Sequence, residues 1–97
     1  FAQSVYQWVN AIPVGNVASY GQIALLCGFP KHARVVGRLM STLPHDTALP
    51  WWRVLRSDGH IALPVSGKAE QIRRLEIEGV VVLGGKVNLR QFAWSTS

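Results

Sequence analysis

The chain has 97 residues, 48% of them hydrophobic, which is enough for a single compact domain over residues 1–97 with a modest core. Ten Lys and Arg against five Asp and Glu give a formal charge of +5, which favours a polyanionic partner and argues against a pocket for cationic ligands. The single cysteine, Cys27, excludes an internal disulfide and a thiol-rich metal site, and the apolar runs are far shorter than the roughly 20 residues of a membrane helix.

The opening residues predict a first helix. Ser4 and Gln7 have the spacing of a capping box, which predicts that Ser4 caps the start of this helix. Apolar residues follow at helical intervals and predict one buried face: Val5, Trp8, Val9 and Ile12. We expect the helix to end near Pro13, because residues 13–16 have the composition of a turn.

A short second helix is predicted after this turn. Ser19 and Gln22 repeat the capping-box spacing and place Tyr20 in the first helical position. The helix should run to about Cys27, because Gly28-Phe29-Pro30 follows. Glycine can adopt the left-handed conformation that ends a helix, and proline cannot extend its hydrogen-bond ladder.

The third helix has the clearest pattern. Its apolar residues repeat at i, i+3, i+4 and i+7: Val36, Leu39, Met40 and Leu43. The opposite side carries a basic stripe of small residues and arginines: Arg34, Gly37, Arg38 and Ser41. Helix, tight turn and helix predict a helix-turn-helix motif, with two arginines one turn apart on the outer face of its second helix. A solvated surface stripe has the same composition, so this pattern alone leaves both interpretations open.

The middle of the chain predicts a loop followed by a wing. Residues 44–50 form a loop bounded by two prolines. Residues 53–63 alternate around Ser57-Asp58-Gly59 and predict a short hairpin that would serve as the wing.

The last third predicts one more helix and a terminal hairpin. Ser66 is a residue type that caps helices, and Gly79 suits a helix end. The apolar positions between them are Ala69, Ile72, Leu75 and Ile77. Residues 80–83 and 86–89 flank Gly84-Gly85, a strong signal for a tight turn between two strands. The fold class predicted from these elements is mostly α with a small β wing, arranged as a winged helix-turn-helix domain.

Several motifs occur in order along nearly the whole chain. They are Ile-Pro-Val-Gly at 12–15, Ser-Tyr-Gly-Gln-Ile-Ala at 19–24, Ala-Arg-Val-Val-Gly at 33–37, Leu-Pro-Trp-Trp-Arg-Val-Leu at 49–55 and Glu-Gly at 78–79. In this order and spacing they resemble the C-terminal DNA-binding domain of the DNA O6-alkylguanine alkyltransferases. Trp51 stands where that family has the reactive cysteine of its Pro-Cys-His-Arg-Val segment, so the chain resembles the alkyltransferase-like proteins, which find alkylated DNA without repairing it.

The tryptophan pair removes the chemistry of the enzymes. A thiolate can accept an alkyl group from a damaged base, whereas indole has no comparable lone pair with which to attack a saturated carbon. Trp52 occupies the position of the family's proton-relaying histidine, which alkyltransferase-like proteins commonly keep. The resemblance therefore implies that the chain is not an enzyme. Taken without the resemblance, a Trp-Trp pair would be read as core packing.

Nucleotide flipping is the function that the resemblance implies for the helix-turn-helix residues. Tyr20 matches the tyrosine that packs near the phosphate beside the damaged nucleotide, and a phenol in the first turn of a helix can reach such a phosphate. Arg34 matches the arginine that enters the base stack and fills the space left by the flipped nucleotide. Gly37 and Arg38 belong to the same DNA-facing helix. From the residues alone, Tyr20 could equally be a half-buried packing residue and Arg34 a surface arginine.

A lesion pocket and its structural support follow from the same resemblance. The expected pocket residues are Tyr20, Pro50, Trp51, Trp52, Arg53 and Gly67. The last of these is expected in a loop beside the flipped nucleotide. Arg53 should hold the tryptophan segment to the domain. Glu78 lies near a helix C-terminus, where its charge opposes the helix dipole, so it should have a cationic partner, either Arg53 or Arg74.

The predicted partner is double-stranded DNA that contains O6-alkylguanine. The resemblance implies that the protein inserts into this DNA through the minor groove and that the lesion is then handed over to nucleotide excision repair proteins. We expect no cofactor, no metal and no membrane contact. The single cysteine fits a reducing compartment and no signal-peptide pattern opens the sequence, so we expect a cytoplasmic, bacterial protein that is associated with the nucleoid when bound to DNA. We also expect a monomer. Two rival functions remain at this stage. One is an alkyltransferase that uses Cys27 or another residue, although Cys27 has an apolar context typical of packing, and the other is a winged-helix regulator that reads sequence in the major groove.

Overall fold

The computed structural model describes residues 1–62 and 65–96 of the chain. The elements found there, in chain order, are α1 (Ala2–Ala11), β1 (Ala18–Ser19), α2 (Tyr20–Leu26), α3 (Ala33–Ser41), a 3-10 turn (Trp51–Arg53), β2 (Val54–Leu55), α4 (Val65–Ile77), β3 (Val82–Leu83), β4 (Lys86–Val87) and α5 (Leu89–Phe92). Helices thus dominate and the strands are short, which confirms the predicted fold class.

Helix α1 differs from its prediction at its start. It begins at Ala2 with Phe1 as its N-cap, and no side-chain cap is formed there, so the predicted cap at Ser4 is wrong. Val5 and Val9 are fully buried, and their packing holds the helix in place without a cap. The other end is close to the prediction, because the chain turns extended at Ile12.

The helix-turn-helix motif forms as predicted. The side-chain oxygen of Ser19 accepts a hydrogen bond from the amide of Gln22 at 3.0 Å, so Tyr20 is the first residue of α2. Gly28 ends this helix with a φ of 86°, and the amide of Phe29 then donates to the carbonyl of Ala24. This is the left-handed helix end that a glycine favours.

Helix α3 is shorter than predicted. Val36 is fully buried and faces the core as expected, but the helix ends at Ser41, two residues before Leu43. The hydroxyl of Ser41 donates to the carbonyl of Arg38 at 2.8 Å, and the hydroxyl of Thr42 donates to that of Leu39 at 3.1 Å. These hydroxyls satisfy the last carbonyls of the helix and stop it before the proline that follows.

The predicted hairpin over residues 53–63 is wrong. A tight turn does form, because the amide of Arg56 donates to the carbonyl of His60 at 3.0 Å. However, β2 pairs in parallel with β1, with Val54 opposite Ala18. The return arm pairs instead with the terminal hairpin, since the amide of Ile61 donates to the carbonyl of Gly85 at 3.0 Å. Both residues of β2 are buried, which is typical of a central strand and not of a solvent-exposed wing.

The terminal hairpin is confirmed and serves as the wing. Strands β3 and β4 pair antiparallel with Val82 opposite Val87, and Gly84 and Gly85 both have positive φ values. Helix α5, which the sequence did not predict, follows at once, and the side chain of Asn88 caps it by accepting from the amide of Arg90 at 3.0 Å.

Helix α4 crosses the molecule beside the 3-10 turn. It already includes Ser66, which was predicted as its cap, so that prediction is wrong. Leu75 is fully buried on its inner face, whereas Ile77 is 71% exposed, so the apolar residues of this helix do not all face the core. Gly79 follows with a φ of 86°, which confirms the predicted end.

Two apolar clusters form the core. The first lies among α1, α2 and α3 and contains Val5, Val9, Ile12, Ala18, Ile23, Ala24, Val36 and Val54. The second lies among β2, α4, the terminal hairpin and α5, and contains Val17, Leu55, Ile61, Leu75, Val80, Val87 and Phe92. Strand β2 contributes Val54 to the first cluster and Leu55 to the second, and Ala18 of β1 and the preceding Val17 are divided in the same way, so the parallel strand pair joins the helix-turn-helix half to the wing half.

We predict that Gly59→Ala lowers stability more than Gly28→Ala. Both glycines have a φ of 86°, so each alanine incurs about 1 to 2 kcal/mol of left-handed strain. At Gly59 the new methyl group would also overlap the carbonyl oxygen of Val87, whereas at Gly28 nothing lies within 4 Å. Urea denaturation of both variants measures the difference. Equal losses of unfolding free energy would show that the close approach of Gly59 to the Val87 carbonyl does not affect stability.

Candidate nucleic-acid interface

Two grooves meet the same helix, α3. The first, called the Tyr20 groove, has a volume of about 550 Å³ and is lined by Tyr20, Gly21, Ala33, Arg34, Gly37, Arg56 and Ser57. The second, called the Trp51 groove, has a volume of about 490 Å³ and is lined by Met40, Ser41, Leu43, Pro44, His45, Trp51, Gly67, Glu70 and Arg74. Arg34 and Met40 are about 9 Å apart along the helix axis at the usual rise per residue, so one helix presents both grooves.

The Tyr20 groove combines an aromatic ring with basic side chains. Tyr20 packs against α3 at Gly37, where an added methyl group would meet the ring edge at 4.0 Å. Burial raises the pKa of the Tyr20 phenol above its ordinary value, so the hydroxyl stays protonated and can donate to a phosphate oxygen. Arg34 is exposed at the start of α3, and Arg56 adds a second guanidinium that the sequence analysis did not single out.

The Trp51 groove has an aromatic and aliphatic wall with a charged edge. Trp51 meets Trp52 edge to face, with ring centroids 5.9 Å apart at 85°. Met40, Leu43 and Pro44 supply the rest of the apolar lining. A planar base could stack or pack on such a wall, and the volume is in the range of small-molecule sites.

Trp52 has the opposite orientation and joins a buried polar network. Its indole Nε1 donates to Oε2 of Glu78 at 3.0 Å. Arg53 donates to the same carboxylate, from Nε to Oε1 at 2.9 Å and from Nη2 to Oε2 at 2.6 Å. The remaining Arg53 nitrogen, Nη1, donates to the carbonyl of Ile12 at 2.7 Å. Arg53 is therefore the cationic partner expected for Glu78, and Arg74 is not.

These hydrogen-bond donors stabilise the negative charge of Glu78. Burial by itself raises the pKa of Glu78, but the hydrogen bonds from Arg53 and Trp52, the Arg53 charge and a hydrogen bond from the amide of Gly15 together outweigh it. The pKa of Glu78 therefore lies below its ordinary value of 4.5, and the group is a carboxylate at neutral pH.

The predicted lesion pocket is divided by the structure. Trp51 and Gly67 line the Trp51 groove, although Gly67 belongs to α4 and not to a loop. Tyr20 lines the other groove. Pro50 and Arg53 are buried behind the tryptophan segment. Like Trp52, these two residues can therefore contribute to a pocket only by supporting its wall.

The predicted DNA-facing residues are brought together only in part. Arg34 and Gly37 line the Tyr20 groove with Tyr20, whereas Arg38 is exposed on α3 outside both grooves.

The sequence did not identify His45, Arg56 or Glu70 as groove residues, and it identified Arg74 only as a possible partner of Glu78. Arg56 is a basic residue directly after segment 49–55, which resembles the family, and this position could have identified it as a groove residue. Nothing in the sequence indicated that the loop after α3 brings His45 to Trp51.

Cys27 lies apart from the Trp51 groove. It packs beside the first apolar cluster at the end of α2. Burial raises the pKa of its thiol, against a smaller lowering by the N-terminal charge. A raised pKa reduces the thiolate fraction, which agrees with the packing role predicted for this residue.

Residues 1–62 and 65–96 contain neither a helix that could span a membrane nor a cluster of metal-ligating side chains. No helix there has the length and apolar character needed to cross a bilayer. No group of three or more His, Cys, Asp or Glu side chains is placed there to hold a metal ion.

A family comparison decides the relationship of this chain. Residues 1–80 match the model of the 6-O-methylguanine DNA methyltransferase DNA-binding domain. A protein named alkyltransferase-like protein 1, from Schizosaccharomyces pombe, is 42% identical over 101 residues, which cover 97% of this chain and 94% of that protein. The chain belongs to the alkyltransferase-like family.

Other alkyltransferase-like relatives agree in sequence and in fold. A protein of Vibrio parahaemolyticus named DNA base-flipping protein is 39% identical over 95 residues, covering 97% of this chain and 95% of that protein. The crystal structure of Schizosaccharomyces pombe Atl1 in complex with damaged DNA containing O6-carboxymethylguanine superposes with a TM-score of 0.92 at 39% identity, covering 97% of this chain and 94% of that one. The winged helix-turn-helix fold predicted from the sequence is confirmed.

We predict that Glu78→Gln lowers stability at neutral pH by about 2 kcal/mol, because it leaves the buried Arg53 guanidinium without its counter-charge. Since the folded pKa of Glu78 is lowered, its stabilising effect is present above pH 4.5 and is lost as the pH falls through the folded value. The stability difference from the original protein should therefore shrink at low pH.

Urea denaturation at pH 7 and pH 3 measures this difference. Glu76→Gln, at an exposed position two residues earlier in α4, is the matched control and should change stability little at either pH. A Glu78→Gln penalty that is the same at both pH values would show that the charge of this carboxylate is not what stabilises the fold.

Proposed function

We propose that this protein recognises O6-alkylguanine in double-stranded DNA by flipping the damaged nucleotide out of the helix, and that it does so without transferring the alkyl group. The observation that carries the proposal is the position of the Trp51 indole on the wall of a groove at one end of α3, with Tyr20 and Arg34 at the other end. Family membership and the names of the relatives support the same class of function.

The steps of flipping can be assigned to the two grooves. The backbone of the DNA lies along the basic Tyr20 groove, where the Tyr20 hydroxyl donates to a phosphate and Arg56 adds charge attraction. Arg34 enters the base stack, because a planar guanidinium can stack on neighbouring bases and donate to the base that has lost its partner. Extrusion of a base costs a few kcal/mol, least for a poorly paired one, so alkylated guanine is favoured over normal guanine.

The flipped base is received by the Trp51 groove. Its apolar wall packs against the purine ring and the alkyl group, and such contacts tolerate substituents of different size. Without a cysteine on this wall the complex is not consumed by reaction. A lasting complex suits handover to nucleotide excision repair proteins, and we include that handover in the proposal. We also propose that the protein acts as a monomer in the cytoplasm.

Arg34→Ala should weaken binding to a duplex with one O6-methylguanine by roughly 1 to 3 kcal/mol and reduce the preference for that duplex over the unmodified one. Arg38→Ala is the matched control on the same helix, and it should weaken both duplexes equally and reduce the salt dependence of binding. Fluorescence anisotropy at fixed and varied salt measures both effects. If Arg34→Ala keeps the full lesion preference, the flipping role of Arg34 is excluded.

Trp51→Ala should cost about 1 to 3 kcal/mol of lesion affinity, because it removes the ring against which the base packs. Trp51→Cys should not restore alkyl transfer, since the following residue, Trp52, holds the Glu78 carboxylate with its indole N–H and cannot accept a proton from the new thiol.

Intact-mass measurement after incubation with O6-methylguanine DNA tests the absence of transfer. A mass increase of one methyl group on the original protein would overturn the proposal, and peptide mapping would then distinguish His45 in the groove from Cys27 at the end of α2. Equal affinity of the original protein for modified and unmodified duplexes would point to the rival function of a sequence-reading regulator.

A further inference from the structure

A third groove lies between the terminal hairpin and α5. This groove, called the wing groove, has a volume of about 520 Å³ and is lined by residues 57–58, 81, 83 and 86–92. Side chains alternate between the two faces of a strand, so Val82 packs against the second apolar cluster while Val81 and Leu83 line the groove on the other face. Val81 is 52% exposed and Leu83 is 75% exposed. The wing therefore presents to solvent apolar side chains that its own core does not bury.

The charges around these apolar side chains leave two cations available. Lys86 and Arg90 are exposed in the lining, and within residues 1–62 and 65–96 neither side chain has an ion pair. The acid of the lining, Asp58, already faces a cation, because Nη2 of Arg56 lies 3.4 Å from its Oδ2. The wing groove therefore combines an apolar surface with a net positive charge.

Backbone hydrogen bonds fix the walls of the wing groove. The amide of Val87 donates to the carbonyl of Gly59 at 3.0 Å, which joins the turn at residues 56–60 to β4. On the other side, the Asn88 side chain caps α5 by accepting from the amide of Arg90. A preformed groove binds a partner at a lower cost in ordering than a mobile surface does.

This combination suits a protein segment better than DNA. A phosphate backbone would give Lys86 and Arg90 a counter-charge but would leave Val81 and Leu83 without apolar contacts. An exposed apolar patch with a polar rim is typical of protein interaction sites, and the charges of the rim select a partner of opposite charge. The matching partner has apolar side chains for the centre of the groove and carboxylates for its rim.

The wing groove also adjoins the proposed DNA interface. Ser57 lines both the wing groove and the Tyr20 groove. On either side of it, Arg56 lines the Tyr20 groove and Asp58 lines the wing groove, so one tight turn separates the two surfaces. A protein seated in the wing groove would therefore lie beside the bound DNA without occupying the Tyr20 groove.

We propose that the wing groove is the docking site for a partner protein, and that it binds an acidic amphipathic segment of that partner. Apolar side chains of the segment cover Val81 and Leu83, and its carboxylates pair with Lys86 and Arg90. The inference rests on the proposed function in one respect, since a handover of the lesion requires a protein that docks while the DNA is bound. It adds the surface and the chemistry of that contact.

A short acidic peptide tests the docking site. A fluorescein-labelled peptide with leucines at intervals of three and four residues and glutamates between them should bind the original protein. The same peptide with glutamine in place of every glutamate should bind about fivefold more weakly, because two exposed ion pairs are lost. Fluorescence anisotropy at fixed salt measures both affinities. Failure of the glutamate peptide to bind, or equal affinity of the two peptides, would overturn the inference.

Variants of exposed residues locate the peptide. Leu83→Ser should weaken its binding about tenfold, and Leu25→Ser, at a 61% exposed leucine of α2, is the matched control that should not. Equal losses in these two variants would place the peptide elsewhere, and the inference would be wrong.

The charge contribution has its own pair of variants. Lys86→Gln combined with Arg90→Gln should remove the preference for the glutamate peptide over the glutamine peptide. Lys31→Gln, at an exposed position outside the groove, should keep it. A preference that survives the loss of both groove cations would contradict the proposed pairing with carboxylates.

Two other occupants would give different results. If the wing groove binds DNA, saturating unmodified duplex will displace the peptide, whereas we expect the peptide to stay bound. If the groove joins two copies of this chain, sedimentation velocity will show a dimer that Leu83→Ser dissociates, whereas we expect no such dimer. Either result would overturn the inference.

Duplex binding separates this inference from the proposed function. Leu83→Ser should keep the full preference for an O6-methylguanine duplex over the unmodified one, because Leu83 lines neither the Tyr20 groove nor the Trp51 groove. Lesion preference without peptide binding would contradict the docking site alone. Peptide binding without any lesion preference in the original protein would contradict the proposed function alone.

Discussion

The buried ion pair between Arg53 and Glu78 is the interaction on which the arrangement of the site depends. Through it the 3-10 turn that carries both tryptophans is bound to the residue that follows α4, and the third Arg53 nitrogen donates to the carbonyl of Ile12, directly after α1. Such a pair is costly to bury, and it is tolerated here because the polar atoms of the guanidinium and carboxylate have partners of good geometry. Three segments that are distant in sequence, those around Ile12, Arg53 and Glu78, are thereby held at one point.

The two adjacent tryptophans have different roles because of the backbone that carries them. Successive residues of a 3-10 turn point about 120° apart, so when Arg53 and Trp52 face inward, Trp51 faces the groove. An indole N–H can donate to Glu78 but has no acceptor atom with which to pass a proton on. Trp52 can therefore hold the Glu78 carboxylate but cannot relay a proton, which agrees with the proposed recognition of DNA without alkyl transfer.

In the proposed function, helix α3 connects recognition of the DNA backbone with recognition of the flipped base. Its first turn borders the Tyr20 groove and its last turn borders the Trp51 groove, and Gly37 between them lets the Tyr20 ring lie close to the helix. The positive charge is distributed in the same way, with Arg34 and Arg56 at one end and Arg74 at the other. A rigid element with one groove near each end fixes the distance between backbone and flipped base, which loops could not do.

Local patterns in the sequence determined the helix-turn-helix, the terminal hairpin, the end of α4 and the presence of an indole at position 51. Each of these depends on near neighbours: Ser19 caps its own helix, Gly84 and Gly85 make their own turn, and Trp51 is a matter of residue identity. Only the tertiary structure decided that β2 pairs with β1 instead of forming a hairpin, that Arg53 and not Arg74 neutralises Glu78, and that His45, Glu70 and Arg74 share a groove with Trp51. These contacts join residues far apart in the chain, and packing selects them from several partners that local sequence makes equally suitable.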